Sequence, residues 1–289
     1  MRYTGRVFRP PSEAYSLILQ ATIGCSHNKC AFCSMYKEKK FSVRPLSEIM
    51  EDLDDARAEY PNIERVFIAD GDALILPMDT LLVLLGHIRK TMPECRRVGI
   101  YGSPKSILKK SEQELVLLKQ AGLGIVYLGL ESGNEEILAR MNKGEKAADI
   151  VIAGQKVRAA GLQLSVTAIS GLGGTEHWRE HASDTAAALS AMKPDFIGLL
   201  TLRVYSGTPL ARMVQNGEVT PPEPAQLALE TRRLLEEIDS AGSVFRSNHA
   251  SNYLVLAGTL NRDRAALIAK IDKALAGKAR FRSQVELGF

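Results

Sequence analysis

Three of the four cysteines, Cys25, Cys30 and Cys33, fall within nine residues of one another, in the stretch GCSHNKCAFCSMYKEKK that runs from Gly24 to Lys40. Thiols gathered this tightly serve a disulfide, a structural zinc or an iron–sulfur cluster. The C-x-x-C half brings two thiolates to one metal centre, and the third comes from the loop before it. A structural zinc asks for four ligands. His27 lies inside the loop and Cys95 far off, which leaves a Cys3His zinc site open. Yet a histidine two positions from a ligand cysteine is badly placed to share its metal. A cubane cluster normally takes four cysteines. With three, one iron keeps an open position, where an amino-acid-like group could chelate through its amine and carboxylate.

The rest of the composition narrows these choices. The chain has 289 residues, 45% hydrophobic and 24% charged, ordinary values for a folded protein with a sizeable core. The first residues, MRYTGRVFRPPSEAY, lack the apolar run of a signal peptide. The longest apolar stretches are too short to span a bilayer. These features predict a cytoplasmic protein with no membrane partner, in which thiols stay reduced and a disulfide is disfavoured. The net charge is +4, and the segment 261–289 holds seven Lys/Arg and three acids, so it carries the whole excess. A basic tail of this kind suits RNA. It suits a solvated helix face better, because Leu267, Ile268, Ile271 and Leu275 form one apolar stripe for docking.

The elements that must position the cysteines alternate along the chain. YSLILQAT, ERVFIAD, RRVGIYG, GIVYLGLE, LQLSVTAIS and DFIGLLTLR read as buried strands, and SVFRSN as a short seventh. Between them PLSEIMEDLDDARAEY, MDTLLVLLGHIRKTM and SEQELVLLKQAG read as helices, the last capped by Ser111 and stopped by Gly122. Further helices are predicted around 135–141, 146–160, 178–192, 209–217 and 224–241. Continuous apolar strands alternating with amphipathic helices predict an α/β fold with a parallel sheet. Six or seven such units suit a complete or partial (βα)6-type barrel over residues 1–215, with a C-terminal helical extension over 216–289 packed on it.

In such folds the loops after the strands form the ligand site. The loop after strand one holds the cysteines. The others are ADGDA, YGSPK, ESGNE, SGLGGTEHW and RVYSGTPL. Glycine near a strand end serves turns, but acids or hydroxyls accompany it in most of these loops.

Agreement with a known family extends over Ser16 to Pro209. The GCSHNKCAFC loop, with an aromatic residue before its last cysteine, resembles the radical S-adenosylmethionine (radical SAM) superfamily. YLGLESGNEEILARMNKG and the later VRAAG resemble the subgroup containing oxygen-independent coproporphyrinogen dehydrogenase and the methylthiotransferases. Two departures stand out. Four residues rather than three separate the first two cysteines, and ADGDA replaces the usual Gly-Gly-Glu. The resemblance implies a 4Fe-4S cluster on Cys25, Cys30 and Cys33, and S-adenosylmethionine as cofactor. It implies that Phe32 lies against the adenine, bordered by Gly171, Leu172 and Gly173. Gly71 and Asp72 would meet the methionyl amine, with Ser103 near the same end. Glu131, with Ser132 beside it, would accept from the ribose hydroxyls, and Arg158 would pair with the methionyl carboxylate. The chemistry implied is cleavage of the sulfonium to methionine and a 5′-deoxyadenosyl radical that abstracts a substrate hydrogen, with electrons from a flavodoxin- or ferredoxin-type donor.

Asp70, Tyr101 and His249 are the candidate substrate-facing residues, with Arg203, Tyr205 and Asn248 in the same loops. No second cysteine cluster is present, so an auxiliary cluster held by cysteines is not expected. The expected substrate is a small molecule or a peptide, with RNA as the alternative. A non-enzymatic zinc-stabilised binding protein is the competing class.

Overall fold

Continuous apolar stretches become the expected strands in the computed structural model, which describes residues 1–287. The chain divides into two compact units, each assembled from separate pieces of sequence. The first comprises Met1–Asn28, Ser34–Leu128 and Lys156–Leu164. The second comprises Lys29–Cys33, Gly129–Gln155 and the residues from Ser165 onward.

In chain order the first elements are β1 (Leu17–Gln20), β2 (Thr22–Ile23), β3 (Ser42–Val43), α1 (Leu46–Glu59), β4 (Arg65–Ala69) and α2 (Met78–Thr91). They are followed by β5 (Arg97–Tyr101), α3 (Pro104–Lys109), α4 (Glu112–Ala121) and β6 (Leu123–Glu131). β1, β4, β5 and β6 pair in parallel, with Leu19 opposite Ile68, Phe67 opposite Gly99 and Tyr101 opposite Tyr127. Successive residues of a strand point to opposite faces. Val66, Phe67, Ile68 and Ala69 are all fully buried, so both faces of β4 are covered, as a parallel sheet requires. On one of those faces Phe67 meets the rings of Tyr101 and Tyr127 edge-on, at 4.9 and 5.7 Å between centroids. α4 starts on the expected capping box, Ser111 with Glu114, and stops at Gly122 with φ +116°.

The single first strand predicted by YSLILQAT is in fact two. It breaks at Ala21, after which β2 pairs antiparallel with β3, Thr22 opposite Val43 and Ile23 opposite Ser42. The cysteine stretch is therefore the loop of a short two-stranded ribbon. α3 was not expected; Ser103 caps it by accepting from Ser106 N, and Pro104 opens it.

The second unit contains α5 (Glu135–Arg140), α6 (Ala147–Ala159, of which the last residues belong to the first unit), β7 (Gln163–Ser170), α7 (Trp178–Met192) and β8 (Phe196–Thr201). After these come α8 (Pro209–Gln215), α9 (Pro224–Glu237), β9 (Val244–Ser247), β10 (Leu256–Thr259) and α10 (Arg264–Leu275). β7, β8 and β9 are parallel, which establishes SVFRSN as a strand. β10 returns antiparallel to β9. The C-terminal segment is thus not helical throughout: it supplies two strands as well as α9 and α10. Ile197, Leu199 and Thr201 of β8 are buried, while Phe196, Gly198 and Leu200 on the other face are half-exposed. Among the described residues no helix is long and apolar enough to cross a membrane.

Phe67 fixes the packing of three strands in the first unit. Phe67→Ala is expected to lower the unfolding free energy by about 3–5 kcal/mol, read as a shifted urea midpoint at unchanged slope.

Candidate active site

The cysteine loop is anchored first by two aspartates. Asp70 and Asp72 flank Gly71 just after β4, and both are buried. Asp70 Oδ2 accepts from Gly24 N at 3.0 Å, Gln20 Nε2 at 2.8 Å and Lys39 Nζ at 2.9 Å. Its Oδ1 has no hydrogen-bond partner among the described residues. Asp72 Oδ2 accepts from Ser26 Oγ (2.6 Å), Ser103 Oγ (2.9 Å) and Ser106 Oγ (2.8 Å), and its Oδ1 from Ser103 N (2.9 Å). Gly24, Ser26 and Lys39 all belong to the cysteine loop, so the two carboxylates hold it near both its ends.

Gly71 packs so tightly that no side chain fits there. A Cβ there would lie 2.8 Å from the Tyr36 ring and 3.0 Å from Cys25 Cβ. Gly24, at φ +77°, adopts a backbone that L side chains rarely take.

The second unit holds the C-x-x-C half by its backbone. Ala31 N donates to Met141 O at 2.8 Å, and Leu210 N donates to Ala31 O at 3.1 Å. Cys33 N donates to Cys30 O at 3.3 Å, which turns the chain between the two thiols. Ala31 joins Ile137, Met141, Leu172 and Leu210 in an apolar cluster against which Phe32 packs, half-buried. Phe32 and Leu172, both assigned to the adenine by resemblance, therefore share one apolar surface.

Glu131 ends β6 at φ +64°, an uncommon backbone for a non-glycine residue. Its Oε1 accepts from Lys143 Nζ at 2.9 Å, and both side chains are 13% exposed. Their crossing is possible because Gly129 has no side chain: a Cβ there would collide with the Glu131 carboxylate. Lys143 is thereby the partner of Glu131.

Three expected site residues take other places. Asp70 was expected to face substrate, but it is wholly buried because Lys39, Gln20 and Gly24 draw it inward. Ser132 was expected beside a ribose. Its hydroxyl is fully buried, bonded to His181 Nδ1 at 2.8 Å and accepting from Asn134 N at 3.0 Å. Arg158 is exposed in the last turn of α6, which leads into the start of β7 rather than following a strand end. Ser103 and Asp72 are brought together, although each is already occupied by the other. Tyr101 stays half-exposed beside Phe67. His249 follows β9, half-buried, with Nδ1 accepting from Ser251 N at 3.2 Å and burial pushing its imidazole pKa down.

Sequence reasoning missed Lys39, Gln20, Ser26 and Ser106 in the first unit. In the second it missed His181 and Glu230. Glu230 on α9 accepts from Ser170 Oγ at 2.7 Å and Gly171 N at 2.9 Å through Oε1. His181 Nε2 lies 2.9 Å from Ile169 O, so that nitrogen carries the proton, and 3.7 Å from Glu230. A buried acid in an amphipathic helix pattern is the one signal that could have pointed to Glu230.

In number and chemistry the thiols of this loop fit a cluster that takes three thiolates. All four cysteines are half-buried thiols, and three of them share one anchored loop. Gly71 allows Cys25 to pack closely against the backbone after β4. Among the described residues no three His, Cys, Asp or Glu side chains converge on a common point.

Comparison with known proteins gives a consistent picture. A family model described as the radical SAM superfamily matches residues 19–186. Heme chaperone HemW of Bacillus subtilis (strain 168) is 21% identical over 226 residues, covering 75% of this chain and 58% of HemW. The threonylcarbamoyladenosine tRNA methylthiotransferase MtaB of Rickettsia prowazekii (strain Madrid E) is 23% identical over 203 residues, covering 68% of this chain and 48% of MtaB. The chain thus spans about half the length of the curated relatives it matches. Among solved structures, the cobalamin-dependent S-adenosylmethionine radical enzyme OxsB superposes with a TM-score of 0.59 at 16% identity, covering 75% of this chain and 40% of OxsB. At that identity the likeness is one of fold.

Burial raises the Glu230 carboxyl pKa above its usual value, against the opposing pull of His181, Ser170 and Gly171. A carboxyl whose folded pKa is raised stabilises the fold at low pH and loses that contribution as pH rises through the folded value. Glu230→Gln does not ionise. The Tm of the parent chain relative to the Gln variant is therefore expected to fall as pH rises above the ordinary carboxyl range. A pH-independent difference would remove the buried acid from this balance.

Proposed function

Because the chain belongs to the radical SAM superfamily, we propose that it is an enzyme binding a 4Fe-4S cluster through Cys25, Cys30 and Cys33, together with S-adenosylmethionine. The observation that carries this reading is the trio of thiols on one loop, held by Asp70, Asp72 and the backbone of Ala31. When bound, the two groups supply one-electron cleavage of a carbon–sulfur bond, giving methionine and a 5′-deoxyadenosyl radical that takes hydrogen from substrate.

The chain's own residues hold and orient. Three thiolates leave a cubane one metal position without a protein ligand, which is where an amine and carboxylate would bind. Gly71, lacking a side chain, lets Cys25 and the Tyr36 ring pack against the backbone after β4. Phe32 and Leu172 offer an apolar surface to the adenine. Glu131, fixed by Lys143, offers its carboxylate to the ribose hydroxyls. In this reading Ser103 and Asp72 act as a pair, since Asp72 is already saturated by neutral donors. Arg158 receives no role.

The substrate in this reading is a small molecule or a peptide. The half-exposed face of β7 and β8, with Thr167, Gly198 and Leu200, and His249 after β9 supply a surface for it. A flavodoxin- or ferredoxin-type protein is the proposed electron donor. RNA is the second reading. It is supported by the exposed Arg262, Lys270, Lys273, Lys278 and Arg280 and by the likeness to a tRNA methylthiotransferase.

Protein purified without oxygen is expected to be brown, with about four irons per chain. With a reductant and S-adenosylmethionine it should release 5′-deoxyadenosine, detected by chromatography. Cys30→Ala should lose both colour and product. Colourless protein carrying one zinc and releasing no nucleoside would end this reading in favour of a zinc-stabilised module.

A further inference from the structure

Lys39 and Asp70 form an ion pair of 2.9 Å in which the side chains are 3% and 0% exposed. Neither belongs to the cysteine motif, and the proposed chemistry uses neither. The pair joins one end of the cysteine loop to the C-terminal end of β4. The same Asp70 oxygen accepts from Gly24 N at the loop's other end, immediately before Cys25. Lys39 is enclosed on its remaining sides. Its ammonium donates to Arg6 O and stands 5.5 Å from the Tyr36 ring centroid. Gly5, at φ +63°, lies so close that a Cβ there would be 2.9 Å from Lys39 Cε.

A buried ion pair is poor evidence for stability by itself, because desolvation offsets the attraction, yet breaking one partner is costly. The geometry here is that of a clasp. One oxygen gathers both ends of the loop, while ladder pairing at Thr22–Val43 closes its base. We propose that Lys39 and Asp70 are positioning residues that pre-form the cysteine loop before any metal arrives. They thereby set how firmly the cluster is retained; the retention part rests on the proposed cluster. In this chain the Asp-Gly-Asp sequence after β4 then has a purpose separate from contact with the nucleotide. Its first carboxylate serves the loop.

The test uses the full chain and two readouts. In cluster-free protein, amides of residues 24–41 are followed by hydrogen exchange. In cluster-loaded protein, iron release to EDTA is timed. Lys39→Met is expected to speed exchange in that segment about tenfold while β4 and β5 keep their protection. It should also speed iron release about tenfold, the scale at which residues supporting metal ligands act. Lys39→Met with Asp70→Asn removes both charges but keeps an acceptor for Gly24 N. That double variant should regain Tm without regaining loop protection or iron retention. Lys39→Arg, which keeps the charge, should recover part of both, and it serves if the Met variant does not fold. Unchanged exchange at 24–41 in Lys39→Met would overturn the proposal. So would a double variant that recovers retention along with Tm. If the parent chain binds no iron, the cluster reading fails, while the exchange comparison still decides the clasp.

Discussion

A carboxylate with no exposed surface must be answered by donors, and in this chain the answer organises the region around the cysteines. Asp70 stands where the second parallel strand ends, and one of its oxygens takes a backbone amide, a side-chain amide and an ammonium. Two of those donors are on the cysteine loop. Asp72, one residue past the intervening glycine, takes a third loop residue, Ser26, and the cap of α3. Removing either acid would leave buried donors unpaired, which is more damaging than the loss of the bonds alone. The sheet thus determines the loop through two side chains that point to the loop rather than to solvent.

The second unit shows the same logic with a different chemistry. Its part of the cysteine loop is held by backbone bonds and apolar contacts. It is fixed by Ala31, whose amide and carbonyl are both used, and by apolar packing against Met141, Leu172 and Leu210. Behind the turn after β7, Glu230 and His181 are buried and hold Ser170, Gly171 and Ser132 from α9 and α7. Residues near the strand ends are therefore positioned by helices distant in sequence. A loop with φ +90° at Gly171 and little room for a side chain needs such support.

Much of this was legible in the residues. The parallel strands of both units, the helix over 178–192 and the capping of α4 follow from apolar periodicity and punctuation. The cysteine trio was legible from its spacing. What failed did so for identifiable reasons. β10 is short and glycine-containing, so it gives no periodic signal. α3 hides in a turn-like YGSPK, because its six residues are too few to show a stripe. Asp70 looked like a ligand-facing acid because Lys39, 31 residues before it, shows no sequence sign of the pairing. Ser132 sits beside Glu131 in sequence yet is buried, its hydroxyl taken up by His181 and by the amide of Asn134. Arg158 matched a motif, but α6 runs back toward the strand beginnings.

The dispersal of each unit along the chain has a consequence for biosynthesis. Cys30 and Cys33 emerge early, but the groups that bracket Ala31 between them, Met141 and Leu210, emerge far later. At about 5–20 residues per second, these thiols wait roughly ten seconds or longer on the ribosome before their shelter exists. Until Leu210 has emerged the backbone between these thiols is not yet fixed on both sides, and oxidants or stray zinc have that interval in which to reach the sulfurs first.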